Sequence, residues 1–255
     1  MRLTVLGGCG AWPTADQACG GYLLEHDGFR LLLDPGYATL PRLLRHCEPA
    51  DVDAVLVSHG HPDHCADLNP LLRARALADR PAAPLRLYAP PGALDAVLGL
   101  DRPGMLAHAY AWHEVETGRG RRFGIGPFTV ESVLLPHFVP NAGFRLTVDS
   151  GSDGSSGGVL AYTGDTGPSP DVARLAGGAD VLLSEATYPV SVPRADEPYL
   201  LSARLAGEYA TGAAAGRLVL THLWPGTEPA EAVTAAQATY DGPVEVARPD
   251  LRLVL

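Results

Sequence analysis

The sequence predicts an α/β fold in which sheets are layered between helices. Three observations predict it. Strand-like runs come first consecutively and later alternate with helical stretches, twice over, along 255 residues, which is how sheets covered by helices read. Hydrophobic residues make up 46% of the chain, enough for a sizeable core. No Pro/Gly linker long enough to divide the chain and no short-period repeat breaks the pattern, so one domain over 1–255 is expected.

In order, "RLTVLG" (2–7), "GGYLLEHDG" (20–28) and "FRLLLDPG" (29–36) read as strands. Asp27 and Gly28 form the hairpin turn between the second and third. "TLPRLLRHC" (39–47) is a short helix candidate. "DAVLVSHG" (53–60) is an apolar, β-branched run that turns polar abruptly, hence a buried strand entering a loop. "DLNPLLRARALAD" (67–79) reads as a helix, "LRLYAP" (85–90) as a strand and "PGALDAVLGL" (91–100) as a helix with proline in its first turn. "FTVESVLLPH" (128–137), "GFRLTVDS" (143–150) and "GVLAYTGDT" (158–166) are strand-like, and "SGSDGSSGG" (150–158) is a turn or flexible loop. Then come strand "DVLLSEAT" (180–187), helix 202–215, strand "RLVLTH" (217–222), helix 228–240, and closing strands "VEVARPD" and "LRLVL".

Composition excludes several functions. Net charge is -10, which argues against general polyanion binding, since non-specific nucleic-acid affinity comes from Lys and Arg. All 19 basic residues are arginine. A lysine Schiff base, a P-loop lysine and a kinase-type lysine are therefore impossible. No signal peptide and no run of about 18 apolar residues is seen, so a soluble, cytoplasmic protein is expected. Cys9, Cys19, Cys47 and Cys65 lack C-x-x-C spacing, which makes reduced thiols the default.

"SHGHPDHCADL" (58–68) crowds His59, His61, Asp63 and His64 directly after an apolar strand. Imidazole and carboxylate in one loop suit zinc, and also manganese or iron. His59 and His61 can converge on one ion while Asp63 and His64 turn toward a second. A polar surface turn is the alternative, and four ligand types in this order argue against it. Three more candidates close apolar strands: His137, Asp165 and His222. Singly each has an ordinary explanation; together they do not.

These residues resemble the metallo-β-lactamase superfamily over nearly the whole chain, from "LGGCGAWPT" through "LLLDPG" to "LTHLWPG". The resemblance implies a four-layer αββα sandwich with a dinuclear zinc centre at one edge. It places His59, His61 and His137 on the first ion, Asp63, His64 and His222 on the second, and Asp165 between them. Asp34 matches an aspartate that supports the site without binding metal; taken alone it reads as a turn residue before Pro-Gly.

Within that superfamily, "PHFVPNAGFRL", "AYTGDT", "SEAT" and "LTHLWPGTEPAEAV" resemble ribonuclease Z-like and cyclic-nucleotide phosphodiesterase-like members. Glu185 matches a glutamate that orients a catalytic histidine, the proton donor to the leaving oxygen. That histidine is absent: its position falls on Leu200, and leucine cannot donate a proton. His26, His46, His108 and His113 read as ordinary surface or partly buried histidines. The long arm that grips transfer RNA is missing between His137 and Asp165, which disfavours tRNA 3′ processing. "GRGRRFG" (118–124), the one compact basic run, reads as a solvated loop.

The resemblance thus implies a zinc-dependent hydrolase that attacks a small or cyclic-nucleotide phosphodiester through a metal-bridging hydroxide. Asp63 would accept the proton, with Glu185 and Asp34 in support. A carboxylic ester, lactone or thioester hydrolase on the same centre is the alternative, and a catalytically silent metal-binding module is a third reading that rests on Leu200 alone. The expected partner is a small-molecule substrate, not nucleic acid or membrane, and the resemblance is compatible with a homodimer.

Overall fold

The computed structural model describes residues 1–118, 121–150 and 157–255. The first sheet holds β1 (Arg2–Gly7), β2 (Gly21–His26), β3 (Phe29–Leu33), β4 (Ala54–Leu56), β5 (Leu85–Ala89), β6 (Tyr110–Glu114) and the last strand, β14 (Arg252–Val254). The second holds β7 (Arg121–Ile125), β8 (Phe128–Leu135), β9 (Asn141–Val148), β10 (Gly158–Tyr162), β11 (Val181–Glu185), β12 (Leu218–Thr221) and β13 (Val244–Val246). Among the described residues the strand orders are β14-β1-β2-β3-β4-β5-β6 and β13-β12-β11-β10-β9-β8-β7.

Alternation along each strand separates the layers, because successive side chains point to opposite faces. Leu31 and Leu33 join Phe128, Phe144, Leu160 and Leu183 in a core between the sheets. Leu32, between them in sequence, faces the other way, into a core shared with Leu68, Leu71 and Leu72. In the second sheet Val219 enters the central core while Leu218 and Leu220 pack with Ala203, Ala206 and Ala232. Strands buried on both faces read as continuous apolar runs, which is why these segments are so plain in the sequence.

Helices cover the outer faces: α1 (Thr39–Leu43), α2 (Pro62–Cys65), α3 (Leu68–Ala76) and α4 (Asp95–Leu98) on the first sheet, α5 (Pro170–Ala176), α6 (Ala203–Gly212) and α7 (Pro229–Gln237) on the second. The result is the αββα sandwich. Ser202 caps α6 by accepting a hydrogen bond from the Leu205 amide, and Ser169 caps α5 through the Asp171 amide, each satisfying an N–H that the helix leaves unpaired.

Several segments differ from the sequence reading. The 91–100 stretch is helical only over Asp95–Leu98, because Gly92 turns at a positive φ of 75° that ends any helix there. Arg121 and Arg122 lie on β7, not in a loop, and pair with Ser132 and Glu131 of β8; residues 119 and 120 of that basic run lie outside the described residues. β6 and β7 are outermost strands, with few buried side chains and no apolar run to reveal them. The turn expected over 150–158 falls largely outside the described residues.

The Asp27–Gly28 turn is as expected, with φ of 48° and 78° and His26 paired to Phe29. The four cysteines carry free thiols, and Cys65 packs into the core beneath α3. Among the described residues no helix is long and apolar enough to cross a membrane.

Candidate metal centre

Strand direction brings the candidate residues together. β3 and β4 are parallel, as are β10, β11 and β12. β8 is antiparallel to β9, which is antiparallel to β10, so β8 ends at the same edge as β10. Asp34, His59, His137, Asp165, Glu185 and His222 all sit at or just beyond carboxyl ends of these strands, the usual position for a site on an open α/β sheet. Asp34 and His222 adopt left-handed φ of 48° and 59°, rare for residues with a Cβ and concentrated at functional sites.

The 58–68 segment works through Pro62. His59 and His61 precede α2 in the chain, and Pro62 opens the helix with its fixed φ. Asp63 and His64 then lie inside its single turn, both buried, while Cys65 turns to the core.

Two groups of ligand atoms result: His59, His61, His137 and Asp165, then Asp63, His64, Asp165 and His222. Asp165 belongs to both. In the first, His61 Nδ1 stands 3.1 Å from His59 Nε2 and 3.1 Å from His137 Nε2. Asp165 Oδ2 is 3.8 Å from both those Nε2 atoms. In the second, His222 Nε2 lies 3.2 Å from Asp63 Oδ2 and 3.0 Å from Asp165 Oδ2. Tetrahedral ligands at bond lengths of about 2.0–2.1 Å stand about 3.3 Å apart, so these spacings fit an ion at the middle of each group.

The outward nitrogens decide which way each imidazole presents its lone pair. His137 Nδ1 is 3.0 Å from the Tyr199 carbonyl, which can only accept, so Nδ1 carries the proton and Nε2 faces inward bare. Asp34 Oδ2 takes His64 Nδ1–H at 2.8 Å. Ser58 Oγ donates to Asp34 Oδ2 at 2.5 Å and is left to accept from His59 Nδ1 at 3.0 Å. Thr187 Oγ1 donates to Glu185 Oε1 at 2.6 Å and accepts from His222 Nδ1 at 2.9 Å. Such partners orient metal-binding histidines and fix their tautomers. They leave His64 Nε2 and Asp165 Oδ1 buried, 3.2 Å apart and without a hydrogen bond among the described residues. An ion between them would satisfy both.

Residues 29–223 match the family model described as the Beta-lactamase superfamily domain. The chain belongs to this superfamily. It is 35% identical over 254 residues to an uncharacterized protein of Mycobacterium tuberculosis (strain ATCC 25618 / H37Rv), covering 96% of this chain and 88% of that one. It is 30% identical to the ribonuclease Z of Myxococcus xanthus (strain DK1622), over 97% of this chain and 95% of that one. The metallo-beta-lactamase fold protein YhfI of Bacillus subtilis superposes with a TM-score of 0.85 at 26% identity, covering 99% and 98% of the two chains. This superfamily member therefore presents a hydrolase scaffold with two His/Asp clusters suited to a pair of metal ions.

The electrostatics of the metallo-β-lactamase site divide along the same line. Burial lowers His59, His61 and His137 below the ordinary imidazole range, leaving neutral nitrogens. In the other group burial is outweighed by carboxylates: Asp165 and Asp63 raise His64 well above its ordinary value, and chiefly Asp165 raises His222 to about 10. His64 and His222 in turn hold Asp63 and Asp165 below the usual carboxylate range against the effect of burial. The buried carboxylates require positive charge, which two imidazoliums supply and a divalent ion would replace, with release of their protons.

Other site features were not visible in sequence. The Ala11 amide donates to Asp63 Oδ2 at 2.9 Å, and Tyr162 donates to Asp34 Oδ2 at 2.7 Å. A Cβ on Gly10 would lie 2.7–2.9 Å from His222 atoms, so this close approach needs glycine. Glu185 is fully occupied without a histidine: besides Thr187 it accepts from the Thr166 and Leu201 amides, and burial with Asp165 nearby pushes it up to about 8. Leu200 is buried. His26, His46, His108 and His113 belong to neither group; His46 pairs with Asp250 at 3.0 Å, and His113 stacks on Tyr88.

Proposed function

We propose that this chain is a dinuclear zinc-dependent phosphodiesterase acting on a small or cyclic nucleotide-type phosphodiester. His59, His61 and His137 would hold one ion, Asp63, His64 and His222 the other, and Asp165 both. The observation that carries the metal reading is the orientation of four imidazoles, each with its outer Nδ1 engaged and its Nε2 turned inward. A relative that is a ribonuclease, aligned over nearly its whole length, supports phosphodiester chemistry. The acidic chain, -10 overall, favours a small substrate over a polynucleotide.

A pair of bound divalent ions would supply a nucleophile at neutral pH by acidifying water, and would offset charge on phosphoryl oxygens. The remaining work falls to the chain. Asp63, held by the Ala11 amide and kept ionised by its neighbours, is the group to accept the nucleophile's proton. Asp34 locks His64, and Glu185 locks His222 through Thr187.

Leu200 supports a second reading. With leucine at the donor position and Glu185 bound by other partners, the leaving group departs without a strong acid, which suits activated esters and lactones. Assays with bis(p-nitrophenyl) phosphate, cyclic AMP and a lactone panel separate the two. His59→Ala and Asp165→Ala should each abolish metal-dependent turnover; turnover that persists in both variants, freed of metal, would overturn the mechanism.

A further inference from the structure

Aromatic side chains surround the two-metal site and are spent on neither core nor catalysis. Among the described residues six large aromatics are exposed: Trp12, Tyr37, Trp112, Phe138, Tyr199 and Trp224. Four of them belong to the rim. Trp12 follows Ala11, whose amide binds Asp63. Trp224 lies two residues beyond His222, Phe138 follows His137, and the Tyr199 carbonyl takes the His137 Nδ1 proton. Trp12 and Trp224 remain 49% and 37% exposed, which leaves large apolar rings in water close in the chain to residues of the two His/Asp clusters.

The four form two pairs of rings. On the Asp63–His222 side, Trp12 and Trp224 have centroids 6.0 Å apart at 50°, and Tyr188 backs Trp224 at 5.5 Å. On the His137 side, Phe138 and Tyr199 lie 4.5 Å apart at 33°, so each covers a face of the other. The indoles are tilted and further apart, and both pairs remain exposed, Phe138 at 52% and Tyr199 at 36%. Their backbones are also tied together, since the Gly10 amide donates to the Leu223 carbonyl at 2.9 Å. Pre-positioned rings lose little entropy when a ligand arrives.

The geometry points to Trp12 and Trp224 as the stacking pad for the nucleobase of the substrate, setting specificity for phosphate esters that carry a planar heterocycle. Two His/Asp clusters that would hold divalent ions, with exposed indoles following Ala11 and His222, would suit a ligand that is anionic at one end and flat at the other. Base-on-indole stacking tolerates any base, because each has a π-face. This inference rests on the phosphodiesterase reading for its substrate class, but its test reads binding alone.

Zinc-loaded protein is titrated by calorimetry with AMP and with ribose 5-phosphate, which lacks the base. AMP is expected to bind on the order of tenfold more tightly, and to quench indole fluorescence where ribose 5-phosphate does not. The affinity ratio should collapse toward one in Trp12→Ala and Trp224→Ala and survive largely in Trp12→Phe and Trp224→Phe. Equal affinities in the wild type overturn the proposal, whatever the variants do. So does a ratio that persists in the double alanine variant, or one that is lost only in Phe138→Ala. Base preference without hydrolysis of any phosphodiester would reject the reaction class and keep the pad; hydrolysis of bis(p-nitrophenyl) phosphate without base preference in binding would do the reverse.

Discussion

Thr187 shows how much of the site rests on residues outside the two His/Asp clusters. Its hydroxyl links buried Glu185 to His222, a role that its place at the end of "SEAT" does not reveal. Thr187→Val removes the hydroxyl while keeping the shape. Outer partners of this kind alter metal affinity by about 10–100-fold, so equilibrium dialysis of the variant should show one tight zinc site where the wild type shows two. Two equally tight sites in the variant would sink the proposed link. The cysteines behave differently, since burial pushes the Cys9 and Cys47 thiols up to about 11 and Cys19 and Cys65 to about 12. Only the thiolate reacts. Ellman's reagent at pH 8 should therefore find no fast thiol in the native protein and four in the denatured one; a fast native thiol would contradict the burial.

At the scale of elements, the site depends on loops pressed together at the strand ends. After β3 the chain turns through Pro35 and Gly36, where an added Cβ would come within 1.8 Å of the Asp63 carbonyl oxygen. Gly36→Ala must push α2 away, and with it Asp63 and His64. The expected result is lost binding of the second ion with the sheets intact, read as one zinc per chain and an unchanged far-ultraviolet circular dichroism spectrum. The strands themselves were legible because they are buried on both faces. The outermost strands β6 and β7 were not, since pairing with β5 and β8 makes them strands without an apolar signature. α5 is a further helix absent from the sequence reading, although Ser169 and Pro170 open it with a cap and a first-turn proline.

For the whole molecule, the buried charges predict how stability depends on pH. In metal-free protein His222 is raised to about 10 and His64 well above its ordinary value, so the folded state holds protons that the unfolded chain releases near 6.5. Their stabilisation is complete below about pH 6.5 and is lost as pH rises toward 10. Glu185, raised to about 8, acts in the same direction between about 4.5 and 8. His59, His61 and His137 are lowered, and their effect is finished by about pH 6.5. The thermal midpoint of metal-free protein should thus fall steadily from pH 6.5 to 10, and zinc should flatten the slope by replacing those protons. A flat profile in metal-free protein would disprove the assignment of charge.

The sequence by itself determined the types and order of the His and Asp residues that gather in the two clusters, and the alternation that sorts side chains into separate cores. Those properties are local: they depend on period-two burial and on a loop after an apolar strand. Tertiary structure decided what depends on register between distant segments. His137 meets His61 across 76 positions and His222 meets Asp63 across 159, distances over which no periodicity carries information. It also decided that Glu185 reaches His222 through Thr187, and that two indoles from opposite ends of the chain stand 6.0 Å apart. Each of these is a matter of which atoms face each other, and only the packed sheets bring them face to face.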